Sequence, residues 1–292
     1  MTGPAPINAA HQPIPIVDHV APFSAGVEAW ICDIWGVVHN GVAAFTPAVE
    51  ACRAFRARGG TVLLLTNAPR PASAIEIQLD KLAVPRDAYD AVLTSGDLTR
   101  DLIAGYRAQP MLHLGPERDR GLFDRQTVHL VDAAAAEVVI CSGLYDDDSE
   151  TAADYRDRLA ALAARAVPMV CANPDLTVAR GDRVIQCAGS LAKLYEEIGG
   201  RVIYAGKPHL PVYTRAFEMI AQARGRPVER ARVLAIGDGV RTDMLGAVNA
   251  GLAAVFVASP VHFEGALTAA SLARLFPDAA RQPVAAMTAL AW

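Results

Sequence analysis

The stretch "AWICDIWGVVHNG", residues 29–41, decides the fold, because an apolar run in it ends on a single acid, Asp33. The run before that acid is apolar at every position, which is typical of a strand buried on both faces of a sheet. A Trp, a Gly and a polar turn follow the acid. Because ligands bind beyond the carboxyl ends of strands in open parallel sheets, Asp33 is a candidate functional residue.

The rest of the chain alternates short apolar runs with helical patterns. "TVLLLTN" and "RVLAI" read as strands, and "FTPAVEACRAFRARGG" reads as a helix with Thr46 as its cap and Pro47 at its first position. This alternation predicts an α/β fold with a doubly wound parallel sheet. We predict an N-terminal arm at 1–24 and a core domain formed by 25–103 and 186–292. A smaller α/β domain, 104–185, is inserted between the two parts of the core.

Composition and charge exclude several classes of protein. The 292 residues are 52% hydrophobic and 20% charged with a net charge of −4, which predicts a folded globular chain. The absence of a basic stripe or polybasic segment argues against nucleic-acid and membrane partners. The first residues lack the basic and apolar regions of a signal peptide, and the five Cys show no CxxC spacing. We therefore expect a soluble cytoplasmic protein.

Polar residues follow four of the predicted strands. They are Asp33, Thr66, Asn67, Lys207, Asp238 and Asp243. If these strands are neighbours, the polar residues converge on one small volume. Carboxylates, a carbonyl and waters suit Mg²⁺, and an ammonium and a hydroxyl beside them suit phosphoryl oxygens. A carboxylate that attacks in line forms an aspartyl-phosphate, so the residue types indicate Mg²⁺-assisted phosphoryl transfer.

Four segments also resemble a known family. "CDIWGVVHNG", "LLLTNAPR", "YAGKPHLPVY" and "IGDGVRTDMLGAVNAG" are similar in order and spacing to the four motifs of the haloacid dehalogenase (HAD) superfamily. "CANPD" and the position of the inserted domain resemble its class IIA branch, the NagD-like and nitrophenylphosphatase-like hydrolases. The resemblance covers nearly the whole chain except the N-terminal arm. It implies a Rossmannoid, HAD-like core with a C2-type α/β cap.

The resemblance implies a role for each residue of the metal site. Asp33 is expected to be the nucleophile. Its carboxylate, the backbone carbonyl of Trp35 and the carboxylate of Asp238 are expected to hold Mg²⁺. Asp243 is expected to orient this site from behind the ligands.

The resemblance also implies how a substrate is held. Thr66 and the backbone of Asn67 are expected to bind the phosphoryl oxygens, and Lys207 to neutralise developing charge and steady the nucleophile. Asn173 and Asp175, near the end of the cap, are expected to contact the substrate or the cap hinge. The implied partner is a small phosphorylated metabolite, and pairing of two chains through the cap is common in the family.

Trp35 departs from the family pattern, which places a second Asp there as general acid and base. An indole has no proton that titrates near neutral pH, and such acid–base help is typically worth roughly 10²- to 10⁴-fold. Three hypotheses follow. The chain is a phosphatase with another proton carrier, with His39 as the nearest candidate; a slow phosphatase for good leaving groups; or a phosphate-ligand-binding or regulatory protein with little turnover.

Carbon–halogen hydrolysis is a further alternative, because the dehalogenase branch also has an aromatic residue in place of the second acid. That branch uses no metal, however, and retention of Asp238 and Asp243 favours a cation.

Several features also have simpler structural interpretations. Trp35 could pack to close the site, His39 could be a hydrogen-bonding loop residue, and Asp146–Asp148 could be a solvated helix start. "IGDGVRTD" nearly matches a dinucleotide-binding fingerprint, but Thr242 replaces its third glycine and no acid follows the next strand.

Overall fold

The computed structural model describes residues 13–180, 183–259, 263 and 265–292. Its strands are β1 (Ala29–Asp33), β2 (Thr61–Thr66), β3 (Ala91–Thr94), β4 (Pro110–Leu114), β5 (His129–Leu130), β6 (Val138–Cys141), β7 (Met169–Cys171), β8 (Thr177–Arg180), β9 (Arg183–Gln186), β10 (Val202–Tyr204), β11 (Val233–Gly237), β12 (Ala253–Val257) and β13 (Ala285–Met287). Its α-helices are α1 (Thr46–Ala57), α2 (Ala72–Lys81), α3 (Ser95–Gly105), α4 (Arg156–Ala164), α5 (Ala188–Glu197), α6 (Leu210–Arg224), α7 (Leu245–Ala250) and α8 (Ala269–Leu275).

The core is a six-stranded parallel sheet in the order β13-β12-β11-β1-β2-β3. Every residue of β1 and β2 is buried, because helices cover both faces of the sheet. Phe55 of α1 and Ile75 of α2 pack on one face, and Val212 of α6 and Ala247 of α7 pack on the other. This arrangement confirms the predicted α/β fold with a parallel sheet.

A second sheet, in the order β10-β7-β6-β4-β5, is also parallel. The antiparallel hairpin β8-β9 comes between β7 and β10 along the chain. Leu191 and Tyr195 of α5 pack with Val139 of β6 in one apolar cluster. Because α5 buries its apolar side here and β10 pairs with β7, the second layer continues to Tyr204. The sequence pattern predicts the end of the cap at residue 185, whereas the strand pairing of this layer extends to β10.

The described end of the N-terminal arm runs beside β13. Ile16 forms a parallel bridge with Ala286, and the Val20 N–H donates to the carbonyl of Ala291 at 2.9 Å. Val20 is fully buried. Residues 13–24 thus join the edge of the core instead of lying only on its surface, and the prediction for 1–12 lies outside the described residues.

Two predicted helix starts differ from the structure. Thr46 is the first residue of α1 rather than its cap, and Phe45 takes the cap position without a side-chain bond. The helix expected at Asp146 begins at Arg156, because the Asp146 carboxylate accepts the Asp148 N–H and organises a turn. No helix within the described part of the chain is long and apolar enough to cross a membrane.

Candidate active site

Three neighbouring strands of the core bring candidate residues to one edge. Asp33 is the last residue of β1, Thr66 is the last residue of β2, and Asp238 follows β11 directly. Strand β1 lies between the other two, and all three run parallel, so their carboxyl ends meet at the same edge. The sequence pattern predicts this convergence.

Lys207 reaches the same edge by a different route from the one predicted. The run before it is not a core strand, since β10 pairs with β7 of the second sheet. The chain returns to the core directly after β10, and Lys207 lies on this return crossing. The Asn67 side chain fixes the crossing: its Oδ1 accepts the Lys207 N–H at 2.8 Å, and its Nδ2 donates to the Lys207 carbonyl at 3.2 Å.

The Lys207 ammonium lies between two buried carboxylates. Its Nζ is 2.6 Å from Oδ1 of Asp33 and 2.8 Å from Oδ1 of Asp243, and it also donates to the carbonyl of Leu65 at 3.3 Å. Lys207, Asp33 and Asp243 are 3%, 7% and 6% exposed. A buried charge of this kind persists only when it is paired, so the three groups form one electrostatic unit.

Burial and the neighbouring charges shift the pKa values of this unit. Burial raises the pKa of Asp33 to about 6, with Lys207 opposing the shift and Asp238 adding to it. Burial likewise raises the pKa of Asp243 to about 6, with Asp33 adding to the shift and Lys207 opposing it. Burial acts to lower the pKa of Lys207, but Asp243 and Asp33 together raise it well above its ordinary value.

The donor set fits a hard divalent cation. One carboxylate oxygen each from Asp33, Asp238 and Asp243 lie within 4.8 Å of one another, and all three residues are buried. The Lys207 ammonium contacts Asp33 and Asp243 of this cluster. Clustered carboxylates repel unless a cation intervenes, and oxygen donors are those that Mg²⁺ prefers.

The end of β11, where the chain turns, requires glycine. A Cβ at Gly237 would lie 2.2 Å from Cγ of Asp243, and the Gly239 N–H donates to Oδ2 of Asp243 at 3.0 Å. A π-helical turn, Val240–Met244, then carries the Asp243 side chain back toward the sheet. The "GDGVRTD" spacing therefore places two acids at one edge with a tight turn between them.

The turn after β1 also approaches the carboxylates closely. Gly36 has φ +86°, and a Cβ there would lie 2.0 Å from Oδ2 of Asp238. The backbone beside Trp35 thus lies against Asp238. This approach is compatible with the predicted use of the Trp35 carbonyl as a metal ligand.

The Trp35 side chain packs in the loop that follows it. Its ring lies edge-on to His39 at a centroid distance of 5.3 Å, and a Cβ at Gly41 would come within 2.3 Å of its Cη2. Its Nε1 is buried and has no hydrogen-bond acceptor among the described residues. The packing interpretation of Trp35 is thus consistent with the structure, although the ring also lines the cleft described below.

His39 is a buried loop residue. Its Nδ1 accepts the Gly41 N–H at 3.0 Å, and burial lowers its pKa to about 4. The ring is therefore neutral at physiological pH and holds the turn together. These properties favour the structural interpretation of His39 over the proton-carrier hypothesis.

A cleft of about 350 Å³ separates the two layers. Six of the residues that line it are Trp35, Thr66 and Arg70 of the core and Asp119, Asn173 and Asp175 of the second layer. Strands β4, β6 and β7 of the second sheet end toward this cleft, so the carboxyl ends of the two sheets face each other across it. The predicted substrate residue Asn173 lines the cleft, and Oδ1 of Asp175 accepts the Asn67 amide at 2.9 Å.

The sequence analysis did not identify Asp119 or Arg70. Asp119 is buried in the cleft wall, and Arg70 lies close enough to influence its charge. One signal was available for Asp119: it lies in the loop that follows the apolar run "PMLHLG" of the inserted domain. Applying the strand-end rule to the inserted domain would have found it.

Two family models match the chain. A model described as haloacid dehalogenase-like hydrolase matches residues 30–128, and a HAD-hydrolase-like model matches residues 204–281. Together they contain the core residues of the candidate site, from Asp33 to Arg70 and from Lys207 to Asp243. No curated protein matches the chain.

Solved structures share the fold over nearly its whole length. A hydrolase of the haloacid dehalogenase-like family from Brucella suis 1330 is 42% identical, with a TM-score of 0.85 over 94% of this chain and 99% of that chain. The 4-nitrophenylphosphatase from Thermotoga maritima is 21% identical, with a TM-score of 0.68 over 91% and 95% of the two chains. NagD from E. coli K-12 is 22% identical, with a TM-score of 0.64 over 90% and 96%.

Proposed function

The chain belongs to the haloacid dehalogenase-like hydrolases, and we propose that it hydrolyses small phosphate monoesters with Mg²⁺ through a phosphorylated Asp33. The observation that carries the proposal is the unit of Lys207 with Asp33 and Asp243, beside Asp238, at the strand ends from which Thr66 and Trp35 line the cleft. These groups provide an anionic nucleophile, a fixed positive charge and a set of hard oxygen donors in one buried place.

Asp33 attacks phosphorus in this proposal, and the leaving oxygen departs toward the cleft. Lys207 holds Oδ1 of Asp33 at 2.6 Å, which fixes the carboxylate for in-line attack and stabilises the negative charge that develops. The Thr66 hydroxyl and the backbone of Asn67, at the end of the adjacent strand, bind phosphoryl oxygens. The volume of the cleft, about 350 Å³, suits a small phosphorylated metabolite.

Asp33, Asp238 and the carbonyl of Trp35 are the residues that would hold Mg²⁺. When bound there, the ion would polarise the phosphoryl group and offset the repulsion among the carboxylates. Asp243 is held by Lys207 and by the Gly239 N–H, so it supports the site from behind. The fold itself is compatible with such chemistry, since one protein that shares it is a 4-nitrophenylphosphatase.

Phosphate release from a panel of monoesters tests the proposal, with Asp33→Asn as the matched control. We expect Mg²⁺-dependent release by the wild-type protein and none above background by Asp33→Asn. Release by both proteins at the same rate, or by neither on any ester, would count against it.

The presence of Trp35 favours one alternative, a protein that binds a phosphorylated ligand and hardly turns it over. Trp35→Asp discriminates between the two. If the chain has simply lost the general acid, the new carboxyl raises the rate of phosphate release; if Trp35 belongs to a working mechanism, the rate does not rise.

A further inference from the structure

A proton donor for the leaving group is missing from the residues assigned so far. When the P–O bond breaks, an alkoxide must gain a proton, and the indole of Trp35 has none to give near neutral pH. The inference below rests on the proposed function, because it concerns the same cleft and the same reaction.

Asp119 faces the cleft from the second layer. It is 3% exposed and shares the cleft with Trp35 and Thr66 of the core. The 3₁₀-helical turn that carries it, Glu117–Phe123, is anchored to the core helix α3: Arg100 donates to the carbonyl of Gly121 at 2.6 Å and to that of Asp124 at 2.8 Å. Asp119 is thus a buried carboxyl on a turn that hydrogen bonds hold against α3.

The groups around Asp119 leave its carboxyl able to hold a proton. Burial raises its pKa to about 6; Arg118, the nearby Ser142 hydroxyl and Arg70 oppose the shift, and Asp147 adds to it. Among the described residues no cation forms a salt bridge with Asp119, since Arg118 pairs with Asp147 instead. With its pKa raised to about 6, the Asp119 carboxyl is protonated in a minority of the molecules at pH 7, and those molecules can donate the proton.

The other two acids that line the cleft already have bonding partners. Asp147 is paired with Arg118, and Asp175 accepts the Asn67 amide that braces the return crossing. His39 has its Nδ1 bound to the Gly41 N–H and is neutral in its buried position. Asp119 is therefore the cleft residue best suited to the task.

We propose that Asp119, from the cap, replaces the acid missing at position 35. In the first step Asp33 forms a bond to phosphorus, the bond from phosphorus to the leaving oxygen breaks, and the Asp119 carboxyl gives its proton to that oxygen. In the second step the Asp119 carboxylate takes a proton from a water that attacks phosphorus. As the bond from the water oxygen to phosphorus forms, the bond from phosphorus to the Asp33 oxygen breaks, so that inorganic phosphate leaves, Asp33 returns as a carboxylate and Asp119 as a carboxylic acid.

The dependence of the rate on the leaving group tests this role. The first-turnover rate of Asp119→Asn is compared with that of the wild type on an alkyl phosphate and on 4-nitrophenyl phosphate, whose leaving group needs no proton. We expect a loss of roughly 10²- to 10⁴-fold on the alkyl ester and of less than about tenfold on the nitrophenyl ester. We also expect a burst of nitrophenol followed by slow turnover, because the second step lacks its base.

Two further variants serve as controls. Asp157→Asn makes the same change on an exposed position of the cap helix α4 and should lose nothing on either ester. Asp119→Glu keeps a carboxyl and should recover part of the alkyl-ester rate, while Asp119→Asn must retain the wild-type far-UV spectrum.

An equal loss on both esters, or no loss on either, would overturn the role of Asp119 and leave the proposed function standing. If the wild type itself shows no turnover that depends on Asp33, the proposed function fails and this inference fails with it.

Discussion

The backbone and the side chain of Trp35 make contacts with different parts of the structure. The backbone beside it turns at Gly36 against the Asp238 carboxylate, so residue 35 can offer a carbonyl whatever its side chain is. The indole packs against Gly41 and His39 in the same loop. A Trp in place of an acid at this position therefore lacks a proton that titrates near neutral pH but leaves the close approach of the backbone to Asp238 unchanged.

The raised pKa of Asp119 predicts a change in stability with pH. The pKa is about 6 in the folded protein and near the ordinary value of 3.8 in the unfolded chain. The folded state thus binds the proton more tightly, so this contribution is fully present below about pH 4 and is lost as the pH rises through about 6. The free energy of unfolding should fall by about 2 to 3 kcal/mol across this window on account of Asp119.

Urea denaturation of the wild type and of Asp119→Asn between pH 4 and pH 7.5 measures this. Groups shared by the two proteins cancel in the difference, which should move in favour of the variant as the pH rises. A difference that stays constant over that range would show that the Asp119 pKa is not raised.

At the scale of elements, the turns after β1 and β11 determine the shape of the site. Both strands before these turns are fully buried, and glycine stands where a side chain would strike a carboxylate: Gly36 in the turn after β1 against Asp238, and Gly237 at the end of β11 against Asp243. The strands direct the acids toward one edge of the sheet. The glycines allow the backbone to approach closely enough for these acids to lie together there.

Gly36→Ala tests this close approach, and Gly59→Ala is its matched control. Both glycines have similar positive φ values, +86° and +82°, so both substitutions carry a backbone cost of about 1 kcal/mol. Only Gly36 would also place its new Cβ 2.0 Å from Asp238, whereas nothing lies within 4 Å of that of Gly59. Phosphate release should fall at least tenfold in Gly36→Ala alone; equal activity in the two variants would contradict the argument.

At the scale of the whole molecule, Asn67 joins the layers. Its amide bonds to the backbone of Lys207 on the return crossing and to the carboxylate of Asp175 from the second layer. The position of the Lys207 ammonium is thus tied to the position of the second layer.

Asn67→Ala should therefore affect stability and turnover together. Leaving buried partners unsatisfied costs about 1 to 3 kcal/mol, and Lys207 loses the bonds that hold its main chain. Asn249→Ala is a matched control, because its exposed amide also bonds to this crossing, at the Pro208 carbonyl, 3.0 Å away. The free energy of unfolding and the rate of phosphate release should both fall clearly in Asn67→Ala and little in Asn249→Ala. A larger loss in Asn249→Ala than in Asn67→Ala would contradict the role of Asn67 in holding the crossing.

Local patterns predict much of this molecule, but not the residues that depend on tertiary contacts. The apolar runs before Asp33, Thr66 and Asp238 are enough to place those side chains at one edge of a sheet. They do not show that β10 pairs with β7, since a short apolar run carries no information about its partner strand. Asp119 was missed for a related reason, because the role proposed for it depends on the second sheet being folded opposite the first.

The most direct measurement of the central claim is the covalent state of Asp33 during turnover. The protein is mixed with 4-nitrophenyl phosphate and Mg²⁺, quenched in acid and digested, and its peptides are analysed by mass spectrometry. We expect one phosphoryl group on the peptide that contains Asp33, absent from Asp33→Asn and accumulating further in Asp119→Asn. Turnover of the ester without any phosphoryl group on that peptide would contradict it.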